Sequence, residues 1–183
     1  YPYLAKQIHD LYGRQDGNLL EIGPFCGVIF SLQEMKIGST FLMATFPKGM
    51  GYFFHQEAKR LKVKDQIEVI ETDSSLTGLK ENGFDLAIFR GALFFPSLFE
   101  VNFLEISRIL KPKGIAFIGG GFGKYTPDTV IKSIGRRSRE LNLQMGKIEL
   151  NKEQLWQDIQ KRDVKAKVEI ISEGGLWVVM RKT

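Results

Sequence analysis

The sequence has little cysteine and no long apolar run. Its single cysteine, Cys26, excludes an internal disulfide and a cysteine-rich zinc site, and it favours a reducing compartment. No stretch of about 18 or more apolar residues occurs, so no membrane-spanning helix is expected. The N-terminus lacks the basic and apolar regions of a signal peptide, and we therefore expect a cytoplasmic protein. The two histidines, His9 and His55, have no acidic partners at metal-ligand spacing, so no metal site is expected.

Length and composition are those of a globular protein. The chain has 183 residues, of which 43% are apolar and 26% charged, and this predicts one domain over 1–183. A net charge of +5 raises nucleic acid as an alternative partner. The basic residues form two local groups, at 132–139 and 161–167, on predicted amphipathic helices or their ends. Such runs are usually solvated helix faces, so nucleic acid is not expected as a partner.

Hydrophobic periodicity alternates helices with strands along the whole chain. Ser97 and Glu100 have the spacing of a capping box for one helix, and Thr126 with Pro127 is predicted to cap the next. The predicted helices are 2–13, 27–35, 52–61, 97–110, a helix from 126 to about 141, and 152–161. The predicted strands are 18–22, 39–45, 67–71, 84–89, 115–118, 167–171 and 176–181.

This alternation predicts an α/β fold. Strand–helix–strand units need right-handed crossovers, which give a parallel sheet covered by helices on both faces. The link 172–175 is short enough for a hairpin, so the last strand should be antiparallel to its neighbour. We therefore expect a doubly wound sheet of seven strands, mostly parallel, with one antiparallel strand from a C-terminal hairpin.

A glycine-containing turn joins the first strand to the next helix. The strand ends in Glu21, and Gly23, Pro24, Phe25 and Gly27 follow. In a doubly wound sheet, ligands lie outside the carboxyl ends of the strands, at the point where the strand order reverses, and this turn falls at or beside that point. The turn therefore predicts a binding site for a nucleotide-type ligand.

The turn resembles the first motif of class I S-adenosylmethionine (SAM) methyltransferases, although Phe25 stands where the middle glycine is usual. Four other segments resemble small bacterial and archaeal members of that class: 71–73, 84–95 with its Arg-Gly-Ala-Leu-Phe-Phe loop, 105–114, and the glycine-rich 118–123. The resemblance implies a Rossmann-like sheet and SAM as the cofactor. The residues that it places at the cofactor are Glu21, Gly23, Pro24, Phe25, Gly27, Thr45, Asp73, Ser74 and Arg90.

Several of these residues have a structural alternative. Glu21 is interpreted as a ligand contact, with capping of the next turn as the alternative. Asp73 is either an adenine contact or a loop acid that binds backbone amides. Arg90 either positions a carboxylate of SAM or of the substrate, or forms an ion pair with Asp73. Phe25 is interpreted as a wall of the site, and Cys26 as a packing thiol rather than a nucleophile. Asp85 is interpreted as structural because it begins a strand, and the glycine-rich segment 119–125 as a flexible hinge beside the cleft.

One expected residue is missing. In the family, as in dinucleotide sites, a carboxylate near the end of the second strand accepts hydrogen bonds from the ribose hydroxyls. The chain has no Asp or Glu between Glu34 and Glu57, and Thr45 and Phe46 occupy the place. Losing this contact costs about 2 to 3 kcal/mol of binding, so SAM binding is expected to be weak or lost. Thr45→Asp or Phe46→Asp is expected to strengthen it.

The resemblance implies direct methyl transfer to a small-molecule acceptor. The acceptor is expected on the side of Tyr1, Tyr3, Arg90, Phe94 and Phe122. No catalytic residue is predicted, because in-line positioning supplies much of the rate and a general base is optional. The chain lacks the strand-four motif with which base methylases act on nucleic acid. The rival hypothesis is a non-catalytic protein of the same fold that serves as a binding or partner subunit.

Overall fold

The computed structural model describes residues 1–162, 164 and 166–183; Lys165, of the second basic group, lies outside them. The helices are α1 (Pro2–Tyr12), α2 (Val28–Glu34), α3 (Met50–Arg60), α4 (Phe103–Ile109), α5 (Asp128–Gln144) and α6 (Lys152–Gln160). The strands are β1 (Asn18–Ile22), β2 (Thr40–Thr45), β3 (Ile67–Glu71), β4 (Phe84–Arg90), β5 (Leu110–Gly120), β6 (Ala166–Ile171) and β7 (Leu176–Lys182).

The strands form one sheet in the order β3-β2-β1-β4-β5-β7-β6. The neighbours from β3 to β5 pair in parallel, and β7 is antiparallel to both β5 and β6. This confirms the predicted seven-stranded sheet and its antiparallel strand. The strand order reverses between β1 and β4, so the loops that follow these two strands flank the switch point.

Helices cover the sheet on both faces. One apolar core packs residues of α1, α2 and α3 against the sheet, with Ile8, Ile29 and Phe54 among its buried members. The other packs α4 and α6 together with the loops after β3 and β4, and it includes Ile106 and Ile159. Because central strands face helices on both sides, their residues are buried almost without interruption, as in all of 84–89.

Helix α4 begins later than the sequence predicts. Asn102, not Ser97, is the N-cap: its side-chain oxygen accepts a hydrogen bond of 3.2 Å from the N–H of Glu105. Ser97 lies in a turn that follows Pro96. The predicted capping box at 97 and 100 is therefore wrong, and the apolar residues before 102 belong to a packed loop.

The glycine-rich loop after β5 packs closely against neighbouring backbone and is not the flexible hinge that its composition suggests. The N–H of Gly123 donates to the carbonyl of Gly174 at 2.8 Å, and a Cβ on Gly121 would lie 2.1 Å from that same carbonyl oxygen. The buried side chain of Gln7 donates to the carbonyl of Glu173 and accepts from the N–H of Lys124. The loop is therefore held between α1 and the β6–β7 turn.

Helix α5 packs less closely than the other helices. None of its residues is buried, and Ile134 and Leu141 of its predicted apolar face are half exposed. The helix begins at Asp128 with Pro127 as the N-cap, and the Thr126 hydroxyl donates to the carbonyl of Phe122 rather than to the helix. The predicted cap at Thr126 is therefore wrong, and the apolar face of α5 does not enter either core.

Asp85 joins the starts of β1 and β4. One carboxylate oxygen accepts hydrogen bonds from the Asn18 N–H at 2.8 Å and Lys111 Nζ at 2.6 Å, and the other accepts from Arg14 Nη1 at 2.9 Å. Burial opposes ionisation of Asp85, but these bonds outweigh that cost and hold the pKa of the carboxyl below its ordinary value. This supports the structural role expected for Asp85.

The depressed pKa makes the contribution of Asp85 depend on pH. The ionised form stabilises the fold above the unfolded pKa of about 3.9, and this stabilisation is lost as the pH falls through the folded pKa. We expect Asp85→Asn to lower the free energy of unfolding by about 1 to 3 kcal/mol at pH 7. In urea titrations the deficit should shrink below about pH 4.

The control for this prediction is Asp16→Asn. Asp16 also pairs with Arg14, but its side chain is 72% exposed, so we expect a change within about 0.5 kcal/mol. Equal losses for the two variants, or a deficit at Asp85 that does not change with pH, would contradict the prediction.

Candidate functional site

The turn after β1 is built around the fully buried carboxylate of Glu21. Its oxygens accept hydrogen bonds from the N–H groups of Gly27, Val28 and Ile29 at 2.9 to 3.1 Å. These donors lie at the beginning of α2, so Glu21 caps that helix across the turn. Burial raises the pKa of Glu21 above its ordinary value although these bonds and Arg90 favour the ionised form. The contacts are those of the capping alternative, and a ligand contact by Glu21 stays a prediction.

Phe25 and Cys26 have structural roles in the turn. The ring of Phe25 packs on Phe95 with centroids 5.0 Å apart, and a Cβ on Gly91 would lie 2.2 Å from it. The Cys26 thiol is buried and donates to the carbonyl of Gly23 at 3.1 Å. Burial raises the pKa of this thiol well above its ordinary value, which opposes a thiolate. The geometry is that of a wall at Phe25 and a packing thiol at Cys26.

Arg90 lies at the end of β4, beside the turn. Its Nη1 donates to the carbonyl of Phe25 at 3.2 Å, and its guanidinium lies 4.6 Å from the ring centroid of Tyr1. Its Nε is buried and has no hydrogen-bond partner among the described residues. No ion pair joins Arg90 to Asp73, so that alternative is wrong.

In the loop after β3, the carboxylate of Asp73 is hydrogen-bonded within the loop itself. Asp73 is exposed, and its Oδ1 accepts hydrogen bonds from the N–H of Ser75 at 2.8 Å and from the Ser75 hydroxyl. The bonds from Ser75 lower the pKa of Asp73. Asp73 therefore has the contacts of a loop acid, while Ser74 beside it is half-buried. Contacts of Asp73 and Ser74 with adenine stay predictions.

The end of β2 is closed by aromatic packing. Thr45 is fully buried and its hydroxyl donates to the carbonyl of Ile70 at 3.0 Å. The ring of Phe46 lies edge-on to Phe89 at 5.9 Å and to Phe99 at 5.5 Å. A Cβ on Gly23 would lie 3.5 Å from the Phe46 ring, which therefore covers the glycine turn. An aspartate in place of Thr45 would bury an unpaired charge, so Thr45→Asp cannot supply the ribose contact.

Glu71 places a carboxylate beside segment 35–56, which itself contains no Asp or Glu. This contact was not predicted from the sequence. Glu71 Oε1 accepts hydrogen bonds from the N–H groups of Gly49 at 2.7 Å and Gly51 at 3.3 Å, just beyond β2. The position of Glu71 could have been predicted, because parallel pairing of β2 and β3 places it beside Thr45. In this structure the carboxylate is engaged with the beginning of α3.

A cavity of about 840 Å³ lies beside Phe25, which forms part of its lining. Arg90, Phe94 and Phe122 line it, as predicted for the acceptor side, whereas Tyr1 and Tyr3 do not. The wall opposite the sheet comes from α5 and the segment after it, which sequence reasoning missed. The residues of this wall that line the cavity are Ser133, Ile134, Arg137, Ser138, Leu141, Asn142, Met145, Lys147 and Leu150.

No group of three or more His, Cys, Asp and Glu side chains among the described residues has an arrangement that could hold a metal ion. Within the same part of the chain, no helix is both long and apolar enough to cross a membrane.

Comparison with known proteins identifies similar domains. The model of the methyltransferase domain family matches residues 20–118. A Methanococcus maripaludis structure, provisionally assigned as a SAM-dependent methyltransferase, is 25% identical with a TM-score of 0.81, over 100% of this chain and 85% of that one. No curated protein sequence matches the chain.

Two further structures share the fold at lower identity. Geranyl diphosphate C-methyltransferase of Streptomyces coelicolor, solved with Mg²⁺, geranyl diphosphate and S-adenosylhomocysteine, is 14% identical with a TM-score of 0.65, covering 97% and 76% of the chains. A Haloferax volcanii protein, provisionally assigned as a methyltransferase and solved with the Trm112 activator, is 13% identical with a TM-score of 0.65, covering 98% and 88%.

SAM, the cofactor of this family, fits part of the site. The unpartnered Nε of Arg90 could donate to the carboxylate of the methionine half, beside the glycine turn. At the end of β2 the residues present offer no carboxylate for the ribose hydroxyls, because Phe46 stands there and packs into the core. Contacts of the methionine end with Gly23–Gly27 and Arg90 therefore stay a prediction, and we assign no ribose ligand.

The position of the Phe46 ring leads to a test. We expect Phe46→Ala to lower the free energy of unfolding by about 3 to 5 kcal/mol, because the ring is 6% exposed within a core. The same change should strengthen binding of S-adenosylhomocysteine by about tenfold, because the space before the turn is opened. Urea titration and calorimetry measure the two effects.

Phe54→Ala is the matched control, since Phe54 is 3% exposed in the opposite core. It should lose similar stability without any gain in affinity. Unchanged or weaker binding by Phe46→Ala would contradict the assignment of this ring to the ligand space.

Proposed function

Because this chain belongs to the methyltransferase domain family, we propose that it transfers the methyl group of SAM to a small-molecule acceptor. The observation that carries the proposal is the cavity beyond Phe25, which lies next to the glycine turn and at the ends of β4 and β5. In this proposal residues 1–183 form one such domain. The single buried cysteine supports a cytoplasmic location.

The chain contributes positioning rather than an acid or a base. When bound, SAM would supply an electrophilic methyl group: the acceptor would bond to the methyl carbon while the carbon–sulfur bond breaks, and S-adenosylhomocysteine would leave as a neutral thioether. Arg90 holds an anionic group beside the turn, and Phe25 forms a wall between the turn and the acceptor cavity. Phe94 and Phe122 line that cavity and orient a flat or apolar acceptor. Such positioning can supply much of the rate acceleration.

A second candidate is a non-catalytic protein of the methyltransferase fold. The packing of Phe46 on Phe89 and Phe99 favours it, because these rings fill the crevice with core-like contacts. The absence of an acid between Glu34 and Glu57 favours it as well. Such a protein would use its cavity for binding alone.

Calorimetry with SAM and S-adenosylhomocysteine separates the two candidates. We expect both to bind, and Arg90→Gln to weaken binding by about tenfold, because a charge-assisted hydrogen bond is lost. Arg60→Gln is the matched control: Arg60 pairs with Glu57 on the exposed side of α3 and should have no effect. Absence of binding at millimolar concentration would reject methyl transfer and leave the second candidate.

A further inference from the structure

The cavity beside Phe25, called the acceptor cavity here, is lined by more positive than negative side chains. Arg90, Arg137 and Lys147 line it, and none of its lining residues is Asp or Glu. In the ion pairs of the described residues, none of these three cations takes part. None of the three therefore forms a close ion pair with a described carboxylate, although Arg90 interacts electrostatically with Glu21.

Arg90 lies at the inner end of this set. One of its nitrogens donates to the carbonyl of Phe25, while its buried Nε has no partner among the described residues. A buried guanidinium N–H without an acceptor costs free energy, and in the proposed function the carboxylate of SAM accepts this bond, which leaves Arg137 and Lys147 for a second anion.

Arg137 and Lys147 stand on the wall opposite the sheet. Both are exposed, and Lys147 Nζ lies 5.0 Å from the ring centroid of Phe94. The ammonium group is thus held beside an apolar surface of the cavity. A ligand that contacts this ring brings its own charge close to Lys147.

The remaining wall is mainly apolar. Rings and aliphatic side chains come from both sides of the cavity, and the polar members that accompany them are Ser133, Ser138 and Asn142. The apolar side chains are Phe25, Phe94, Phe122, Ile134, Leu141, Met145, Leu150 and Leu176. This surface suits a ligand with an apolar or aromatic body.

We propose that the acceptor is a small molecule with an apolar or aromatic body and an anionic group, a carboxylate or a phosphate, bound by Arg137 and Lys147. The assignment of this ligand as a methyl acceptor rests on the proposed function. Its binding to the cavity does not, so binding can be measured in the absence of SAM.

The test compares three probes of one shape by calorimetry: 2-naphthoate, 2-naphthyl phosphate and the neutral 2-naphthamide. We expect at least one anion to bind about tenfold more tightly than the amide, and the stronger anion identifies the group that is recognised. Arg137→Gln and Lys147→Gln should each weaken the anion by about three- to tenfold and leave the amide unchanged.

Arg136→Gln is the matched control, because Arg136 is exposed on the same helix but does not line the cavity. It should leave all three affinities unchanged. Equal affinity for the amide and both anions, no binding of any probe, or equal losses in Arg136→Gln and Arg137→Gln overturns the proposal. Because SAM is absent, a failure of methyl transfer leaves this result unaffected.

Discussion

The site depends on one interaction, the capping of α2 by the buried carboxylate of Glu21. Three N–H groups at the beginning of the helix would otherwise lose water without a partner, at about 1 to 3 kcal/mol each. The bonds tie the end of β1 to Gly27, Val28 and Ile29, and this closes the turn between them. The closed turn in turn presents the carbonyl of Phe25 to Arg90. The helix cap therefore contributes to the position of Arg90.

At the crevice beside this turn, the packing of Phe46 and the binding of a ligand compete with each other. Burial of a phenylalanine side chain contributes about 1.5 to 3 kcal/mol to stability, and Phe46 obtains it by lying over the turn. A ligand that needs this space must replace those contacts, and it finds no ribose carboxylate in return. Both effects are expected to reduce affinity for SAM in the proposed function, where the stability of the crevice and its openness to the cofactor oppose each other.

Sequence periodicity predicted the sheet well because strand, helix and hairpin patterns are local. The parallel pairing and the antiparallel β7 followed from connection rules, and the resemblance pointed to the correct family, whereas the strand order was not predicted. The helix cap at Asn102 was missed because Ser97 and Glu100 offer the same spacing, and only the packing of the intervening loop decides between them. The glycine-rich loop was misread for a similar reason: glycine permits both flexibility and close backbone contact, and the contact with Gly174 joins residues far apart in sequence.

The acceptor cavity was only half predicted, and α5 explains why. Its apolar spacing at Ile134 and Leu141 is that of a helix packed on a core, and a periodic pattern does not state what the apolar face will meet. In the structure that face meets the cavity, so the residues are half exposed. A ligand with an apolar body would remove their surface from water, at about 25 cal/mol per Å². The packing of α5 is therefore coupled to occupation of the cavity, which makes this helix the element whose stability should respond most directly to an acceptor.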